Sequence, residues 1–167
     1  MGKARSATRC AALHRHRGYT CTGIITLRSP TGQLDVRDVR SGEQRQLTTS
    51  ITTAQSLVQG RFTFDAQTIS WGNQVLAAAV PCDLLMVDEL GPIEFVRGQG
   101  WMTAFDVLAH RDYAVALVVI RAELLARAQE KLPFGTKAVV DVTQENRDSL
   151  GASLVERIGQ RIDAHRG

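Results

Sequence analysis

The stretch Leu84 to Phe95, LLMVDELGPIEF, decides the fold class of this chain. Its apolar residues are followed directly by two carboxylates, Asp88 and Glu89, and then by the turn-forming sequence Leu90-Gly91-Pro92. A continuously apolar run bounded by turn residues is typical of a strand buried on both faces, as in a parallel sheet. Because open parallel sheets bind ligands beyond the carboxyl ends of their strands, the two carboxylates are the first candidates for a functional site.

Strand and helix periodicities alternate after this stretch. The patterns predict strands at residues 84–87, 114–120 and 138–142, helices at 100–109 and 122–131, and a final helix that buries Leu150, Leu154, Ile158 and Ile162. This βαβ rhythm predicts an α/β fold with a parallel sheet flanked by helices. With 167 residues, 44% of them hydrophobic, the chain is expected to form a single domain.

The residues before the stretch predict a β-hairpin inserted after a first helix. We expect that helix at residues 4–17, strands at 19–27 and 33–39, and a third short strand near 45–47. Residues 48–60 give little periodic signal and are expected to form a loop with modest helix. A small strand at Phe62 and Phe64 then leads to a helix with Asp65 as its N-cap.

The charge balance is mildly basic, with a formal net charge of +3, but the imbalance is local. No Asp or Glu precedes Asp35, whereas Lys and Arg recur in that segment. Such a segment would suit phosphate or RNA, it resembles an organellar transit peptide, and it is also compatible with a solvated helix face. Because no aromatic interleaving or RNA-binding motif accompanies the arginines, a nucleic-acid partner is the least favoured interpretation.

The cysteines and the apolar runs exclude further classes of site. Cys10, Cys21 and Cys82 are odd in number and lack CxxC spacing, so the sequence predicts neither a zinc site nor a disulfide framework. We expect reduced thiols and a cytoplasmic location. The apolar runs are shorter than the roughly 20 residues that span a bilayer, so no membrane association is expected.

Adjacent carboxylates at a strand end can divide two chemical tasks between them. Neighbouring side chains on an extended backbone point to opposite sides, so Asp88 can reach a metal shell while Glu89 faces an attacking water. The alternative is a strand that simply ends at two solvated acids. Glu94 follows two residues after Pro92 and either assists this site or faces solvent.

The segment from Leu84 to Phe95 resembles the Walker B motif of the small nucleoside-triphosphatase family of P-loop NTPases, whose members carry a DEIGx[LM]E pattern at this place. Here the residues read DELGPIE from Asp88 to Glu94. The strand ending VVIR at Arg121 and the residues ENRD at 145–148 are also similar to that family. The resemblance covers nearly the full chain, and it implies a P-loop NTPase-like fold.

The same resemblance implies an activity and assigns roles to residues. The activity is Mg²⁺-dependent hydrolysis of a nucleoside triphosphate, ATP or GTP, to diphosphate and phosphate. Asp88 would bind the magnesium ion and Glu89 would polarise the nucleophilic water. Arg121 closes a strand at the ligand edge and could neutralise phosphate charge, or it could instead pair with Glu123 or solvent.

The phosphate-binding half of such a site is represented in this sequence by Gly2 and Lys3. In the family, an apolar strand precedes a G-x-x-x-x-G-K-[ST] loop whose backbone N–H groups cradle the phosphates. Gly2 and Lys3 stand where the last glycine and the lysine of that loop belong, and Ala4 stands where a magnesium-binding hydroxyl belongs. We therefore expect the first strand and most of the loop to be missing, by a misplaced start codon or a truncation, and turnover to be weak.

Two other functions remain open at this level. One is a degenerate relative that binds nucleotide or a protein partner without hydrolysis, which Ala4 favours. The other, ranked last, is a basic nucleic-acid-binding module that uses the acid-free residues before Asp35.

Overall fold

A computed structural model describes residues 17–52, 56–132, 138–146 and 148–167. The strands are β1 (Cys21–Arg28), β2 (Leu34–Asp38), β3 (Gln44–Gln46), β4 (Thr48–Thr49), β5 (Leu57–Gln59), β6 (Phe62–Phe64), β7 (Cys82–Leu90) and β8 (Tyr113–Ile120). The helices are α1 (Ala66–Ala77), α2 (Pro92–Phe95), α3 (Thr103–His110), α4 (Leu125–Lys131), preceded by a 3₁₀ turn (Ala122–Leu124), and α5 (Leu150–Arg166). The helix predicted at 4–17 falls almost wholly outside the described residues.

The main sheet has the strand order β3-β2-β1-β7-β8. The three strands β1, β7 and β8 are parallel, with Cys21 opposite Leu84 and Leu84 opposite Val115, whereas β2 and β3 add to the β1 edge in antiparallel orientation. The predicted α/β class is therefore confirmed, as is the hairpin of β1 and β2. The carboxyl ends of the three parallel strands meet at one edge of the sheet.

The apolar run of β7 supplies both hydrophobic cores of the domain. Leu85 and Val87 point to one face, where they join a cluster covered by α1, α3 and α4. Leu84 and Met86 point to the other face, where Ile158 and other residues of α5 cover them. Alternation along a strand sends successive side chains to opposite faces, so a strand buried on both faces reads as continuously apolar.

β1 approaches β7 so closely that one position in it must be glycine. Gly23 has a φ of +101°, and a Cβ atom built there would lie 2.0 Å from the carbonyl oxygen of Met86. Such a φ strains any residue with a Cβ, and the backbone of β7 leaves no room for one. Gly23 thereby fixes the spacing of the two strands that carry the carboxyl edge.

A second, small sheet with the order β4-β6-β5 lies beside the main one. The prediction of loop with modest helix for residues 48–60 was wrong at 48–49 and 57–59, since β4 and β5 pair in antiparallel fashion with β6. These strands are only two or three residues long, too short to show a period of two in the sequence. Phe64 packs against the larger core, and this contact attaches the small sheet to the main one.

The helix α1 begins where its capping residue predicts. Asp65 has extended backbone angles, and its Oδ1 accepts a hydrogen bond from the N–H of Thr68 at 2.7 Å. This bond satisfies one of the orphan donors of the first turn. Helix α3 begins later than predicted, at Thr103, because Gly100 has a φ of +77° and cannot continue a helix.

Near the carboxyl terminus, one prediction was wrong and another was wrong in part. Residues 138–142 form no strand, and the side chains of Val139 and Val142 are exposed. An apolar, β-branched run becomes a strand only where a neighbour accepts its backbone hydrogen bonds, and none of the described strands pairs with it. Helix α5 buries Ile158 and Ile162 as predicted, while Leu150 and Leu154 are only half-buried.

Candidate functional site

The carboxyl end of β7 contains a bulge at the acidic pair. Between Val87 and Leu90, β7 advances three residues, whereas its partner β8 advances two, from Val118 to Ile120. The sequence predicted that the strand ends at Val87, before the two acids. In the structure, β7 continues through Asp88 and Glu89 to Leu90. Bulges of this kind re-aim side chains and occur often beside active sites.

Glu89 has an unusual backbone conformation within this bulge. Its φ of +70° lies in the left-handed region, which costs a residue with a Cβ about 1–2 kcal/mol. A strained non-glycine residue persists where the surrounding structure holds it, and such residues cluster at functional sites. The two neighbouring carboxylates at the bulge have different environments, since Asp88 is buried and Glu89 is exposed.

Asp88 is held from the neighbouring strand β1. The backbone N–H of Thr26 donates to Asp88 Oδ2 at 3.0 Å, and the residue is only 5% exposed. Among the described residues, no group of three His, Cys, Asp or Glu side chains is placed to hold a metal ion. Mg²⁺ usually takes one or two carboxylates and completes its octahedron with water and substrate phosphates. A single oriented carboxylate at the strand end fits that donor set.

Glu89 faces Arg121 across the edge of the sheet. The guanidinium NH2 of Arg121 lies 3.3 Å from Glu89 Oε1, and both side chains are nearly half exposed. Arg121 therefore pairs with the candidate base, and not with Glu123 as one alternative proposed. An exposed pair of this kind contributes roughly 0–1 kcal/mol, so a ligand can displace it at little cost.

Glu94 is buried rather than facing solvent. Its Oε2 accepts from the N–H of Gly91 at 2.8 Å and its Oε1 accepts from the N–H of Trp101 at 3.0 Å. Burial raises the pKa of Glu94, and the two backbone donors act in the opposite direction. A Cβ atom at Gly100 would lie 2.1 Å from Oε1, so glycine is needed there. Glu94 thus fixes the loops on both sides of α2.

A cavity of about 280 Å³ opens at this edge of the sheet. Thr26, Glu89 and Arg121 line it from the ends of the three parallel strands. Residues 59–62, the turn between β5 and β6, line it from the small sheet, and Glu94 borders it as well. The cavity therefore brings together Glu89 and Arg121, with Asp88 one residue away and bonded to the lining residue Thr26.

The predicted phosphate-binding residues Gly2 and Lys3 lie outside the described residues, so their assignment stays a prediction. Sequence reasoning also missed two arginines that line the cavity, Arg28 and Arg61. Arg28 could have been found, because it directly follows the apolar residues at the end of β1 just as Asp88 follows the apolar run of β7. For Arg61, the only signal in the sequence is its position next to the turn residue Gly60.

A protein-family model described as NTPase matches residues 1–155 of this chain. The chain belongs to this NTPase family. Residues 84–95, which carry the resemblance to a Walker B motif, lie within the matched span. The family expectation drawn from the sequence is therefore confirmed.

Known relatives of this NTPase agree with that assignment. This chain is 28% identical over 89 residues to Nucleoside-triphosphatase THEP1 of Methanosarcina barkeri (strain Fusaro / DSM 804). The match covers 52% of this chain and 48% of the relative. The match thus spans about half the length of that relative. The crystal structure of THEP1 from the hyperthermophile Aquifex aeolicus superposes with a TM-score of 0.69 at 15% identity, covering 95% of this chain and 93% of that one. This likeness confirms the fold.

In the described parts of the chain, no helix combines the length and the apolar character that a membrane span requires.

Proposed function

We propose that this NTPase hydrolyses nucleoside triphosphates to diphosphate and phosphate in a Mg²⁺-dependent reaction. The observation that carries the proposal is the bulge of β7, which presents one buried and one exposed carboxylate beside an arginine-lined cavity. Family membership and the THEP1 relative support a triphosphate as the substrate.

Asp88 is the residue we assign to Mg²⁺, because its carboxylate is buried at the strand end and oriented by Thr26. When bound there, Mg²⁺ would supply positive charge that stabilises the phosphate oxygens of the substrate. Thr26 also lines the cavity, and its backbone N–H holds the Asp88 carboxylate in place. A fixed carboxylate needs no reorganisation when the substrate arrives.

Glu89 is the residue we assign to the nucleophilic water. Its carboxylate accepts a proton as the water oxygen bonds to the γ-phosphorus and the bond to the β–γ bridging oxygen breaks. The diphosphate leaves with that electron pair. Arg121, now paired with Glu89 at 3.3 Å, would turn to the phosphate oxygens and free the base for this step.

The test is phosphate release from ATP and GTP by the full chain with Mg²⁺. Glu89→Gln keeps the shape of the side chain but cannot take the proton, so turnover should fall at least about 100-fold. Glu123→Gln is the matched control, because Glu123 is exposed on the 3₁₀ turn next to Arg121 and does not line the cavity. Equal rates for the wild type and Glu89→Gln would refute the proposal.

A second candidate, nucleotide binding without hydrolysis, rests on Ala4 at the position of the expected hydroxyl. The expectation of weak turnover also stays a prediction. Titration of the full chain with ATP, with and without Mg²⁺, distinguishes the two functions. Metal-independent binding with no phosphate release favours the second candidate, and Mg²⁺-dependent binding with release favours hydrolysis.

A further inference from the structure

We propose that Arg28 and Arg61, at the junction of the main sheet and the small sheet, form an anion-binding wall of the cavity that binds the polyphosphate chain of the substrate. The inference rests on the proposed function for the identity of the substrate. It assigns a phosphate-binding role to two residues outside the bulge of β7 and its partner Arg121.

The two arginines reach the cavity from different elements. Arg28 is the last residue of β1, at the carboxyl edge of the main sheet, and Arg61 lies between β5 and β6 in the small sheet. Both line the cavity together with Arg121 at the end of β8. Three arginines from three separate elements thus line one cavity of about 280 Å³.

The ring of Phe62 orders the two guanidinium groups. The Cζ atom of Arg28 lies 5.5 Å from the ring centroid, and that of Arg61 lies 5.0 Å from it. Both distances are within the range of cation–π attraction. Because the ring already contacts two cations, the wall suits an anion better than a stacked base. Prior ordering of the guanidinium groups also lowers the entropy lost on binding.

Among the residues that line the cavity, positive groups outnumber negative ones. Three arginines face two carboxylates, Glu89 and Glu94. Glu94 accepts hydrogen bonds from two backbone N–H groups, and Glu89 pairs with Arg121, so neither carboxylate is bonded to Arg28 or Arg61 in the structure. The polyphosphate chain is the most strongly charged part of a nucleotide, and arginine binds phosphate through paired N–H donors.

The turn that bears Arg61 is attached to the main domain on two sides. The guanidinium of Arg97, just after α2, donates to the carbonyl oxygen of Val58 in β5. On the other side, the N–H of Asp65 donates to the carbonyl oxygen of Leu47 at 2.9 Å, which ties the end of β6 to the chain that precedes β4. The distance between Arg61 and the carboxyl edge is therefore set by the fold.

Binding of inorganic tripolyphosphate to the full chain, measured by calorimetry, tests the inference without any need for turnover. We expect Arg28→Gln and Arg61→Gln each to weaken tripolyphosphate and ATP binding about tenfold, since each loses charge-assisted hydrogen bonds. Adenosine, which has no phosphate, should bind equally to all variants. Arg37→Gln is the matched control, because Arg37 lies on β2, bonds to Gln44 and does not line the cavity.

Phe62→Leu provides a second variant that keeps both arginines. It should weaken tripolyphosphate binding by a smaller factor than either arginine substitution, because only the ordering of the guanidinium groups is lost. Thermal unfolding of every variant identifies any that fails to fold. If Arg61→Gln fails, Arg61→Lys replaces it, because lysine keeps the charge but lacks the paired N–H donors. Arg61→Lys should also weaken tripolyphosphate binding.

Three results would overturn the inference. One is tripolyphosphate binding by Arg28→Gln and Arg61→Gln that equals binding by the wild type. A second is no tripolyphosphate binding by the wild type. The third is a loss of adenosine affinity as large as the loss of tripolyphosphate affinity, which would place the base on this wall. If Glu89→Gln does not slow hydrolysis, the proposed function is refuted but this inference is not, because tripolyphosphate binding is measured independently of hydrolysis.

Discussion

The two ends of β7 use their carboxylates differently. At the amino end, Asp83 accepts hydrogen bonds from the N–H and the hydroxyl of Thr20 and from two nitrogens of Arg166 in α5. At the carboxyl end, Glu89 has a left-handed backbone conformation and an exposed contact of 3.3 Å to Arg121. The amino end thus stabilises the fold, while the carboxyl end keeps a strained, weakly paired acid beside a cavity.

The pKa of Asp83 reflects the same difference. The paired guanidinium of Arg166 lowers it to about 2 from the usual 3.8, and the two donors of Thr20 add to this effect. A saturated carboxylate of this kind has no capacity left for a substrate. Position on the strand therefore separates a structural acid from a candidate catalytic one, although both belong to the same nine-residue element.

The largest expected effect comes from a substitution at the contact between β1 and β7, on which both ends of β7 depend. Gly23→Ala places a Cβ atom against the backbone of Met86 at a φ of +101°, so unfolding free energy should fall by about 3 kcal/mol or more. Gly32→Ala is the control, because Gly32 has a φ of +86° but no atom near its Cβ position. Urea denaturation measures both. Equal losses in the two variants would show that the close approach of β1 and β7 is unimportant.

The next effect tests the structural end alone. Asp83→Asn removes a carboxylate that tethers α5 to the start of β1, so we expect a loss of about 1–2 kcal/mol in unfolding free energy. Arg166 is substantially exposed, which limits the contribution of the ion pair. Phosphate release per folded molecule should stay at the wild-type rate. A large drop in that rate would contradict the division between the two ends.

Acid titration sharpens the same contrast. Because the folded-state pKa of Asp83 is about 2 and an unfolded aspartate titrates near roughly 3.9, its stabilisation is complete above the higher value and is lost as pH falls through the lower one. The stability difference between wild type and Asp83→Asn should therefore shrink from about pH 4 to about pH 2. Urea midpoints across that range measure it, and a constant difference would exclude the charge of Asp83 as the cause.

The smallest expected change in stability concerns the strained carboxyl end of β7. Glu89→Gly relieves the left-handed conformation and should raise the unfolding free energy by about 1 kcal/mol while abolishing hydrolysis. Arg111→Gly is the control, because Arg111 follows α3 with a φ of +60° and is outside the cavity lining. It should gain similar stability and keep its turnover. A destabilised Glu89→Gly would show that the bulge stores no strain.

Local signals in the sequence predicted a large part of this architecture. The apolar run of β7 predicted the parallel sheet, Asp65 predicted the start of α1, and the turn at residues 29–32 predicted the β1–β2 hairpin. Each depends on residues close together in the chain, where burial pattern and capping chemistry are readable. The acidic pair at 88–89 was identified as the candidate site for the same reason.

Pairings between distant segments were decided only by the tertiary structure. The bulge that strains Glu89, the pairing of Glu89 with Arg121 and the approach of Arg28 and Arg61 to one cavity all join elements far apart in sequence. Residues 138–142 show the reverse case, since their strand-like pattern finds no partner strand among the described residues. Periodicity records which side of an element is apolar, whereas hydrogen-bonded neighbours and side-chain encounters depend on how the elements pack.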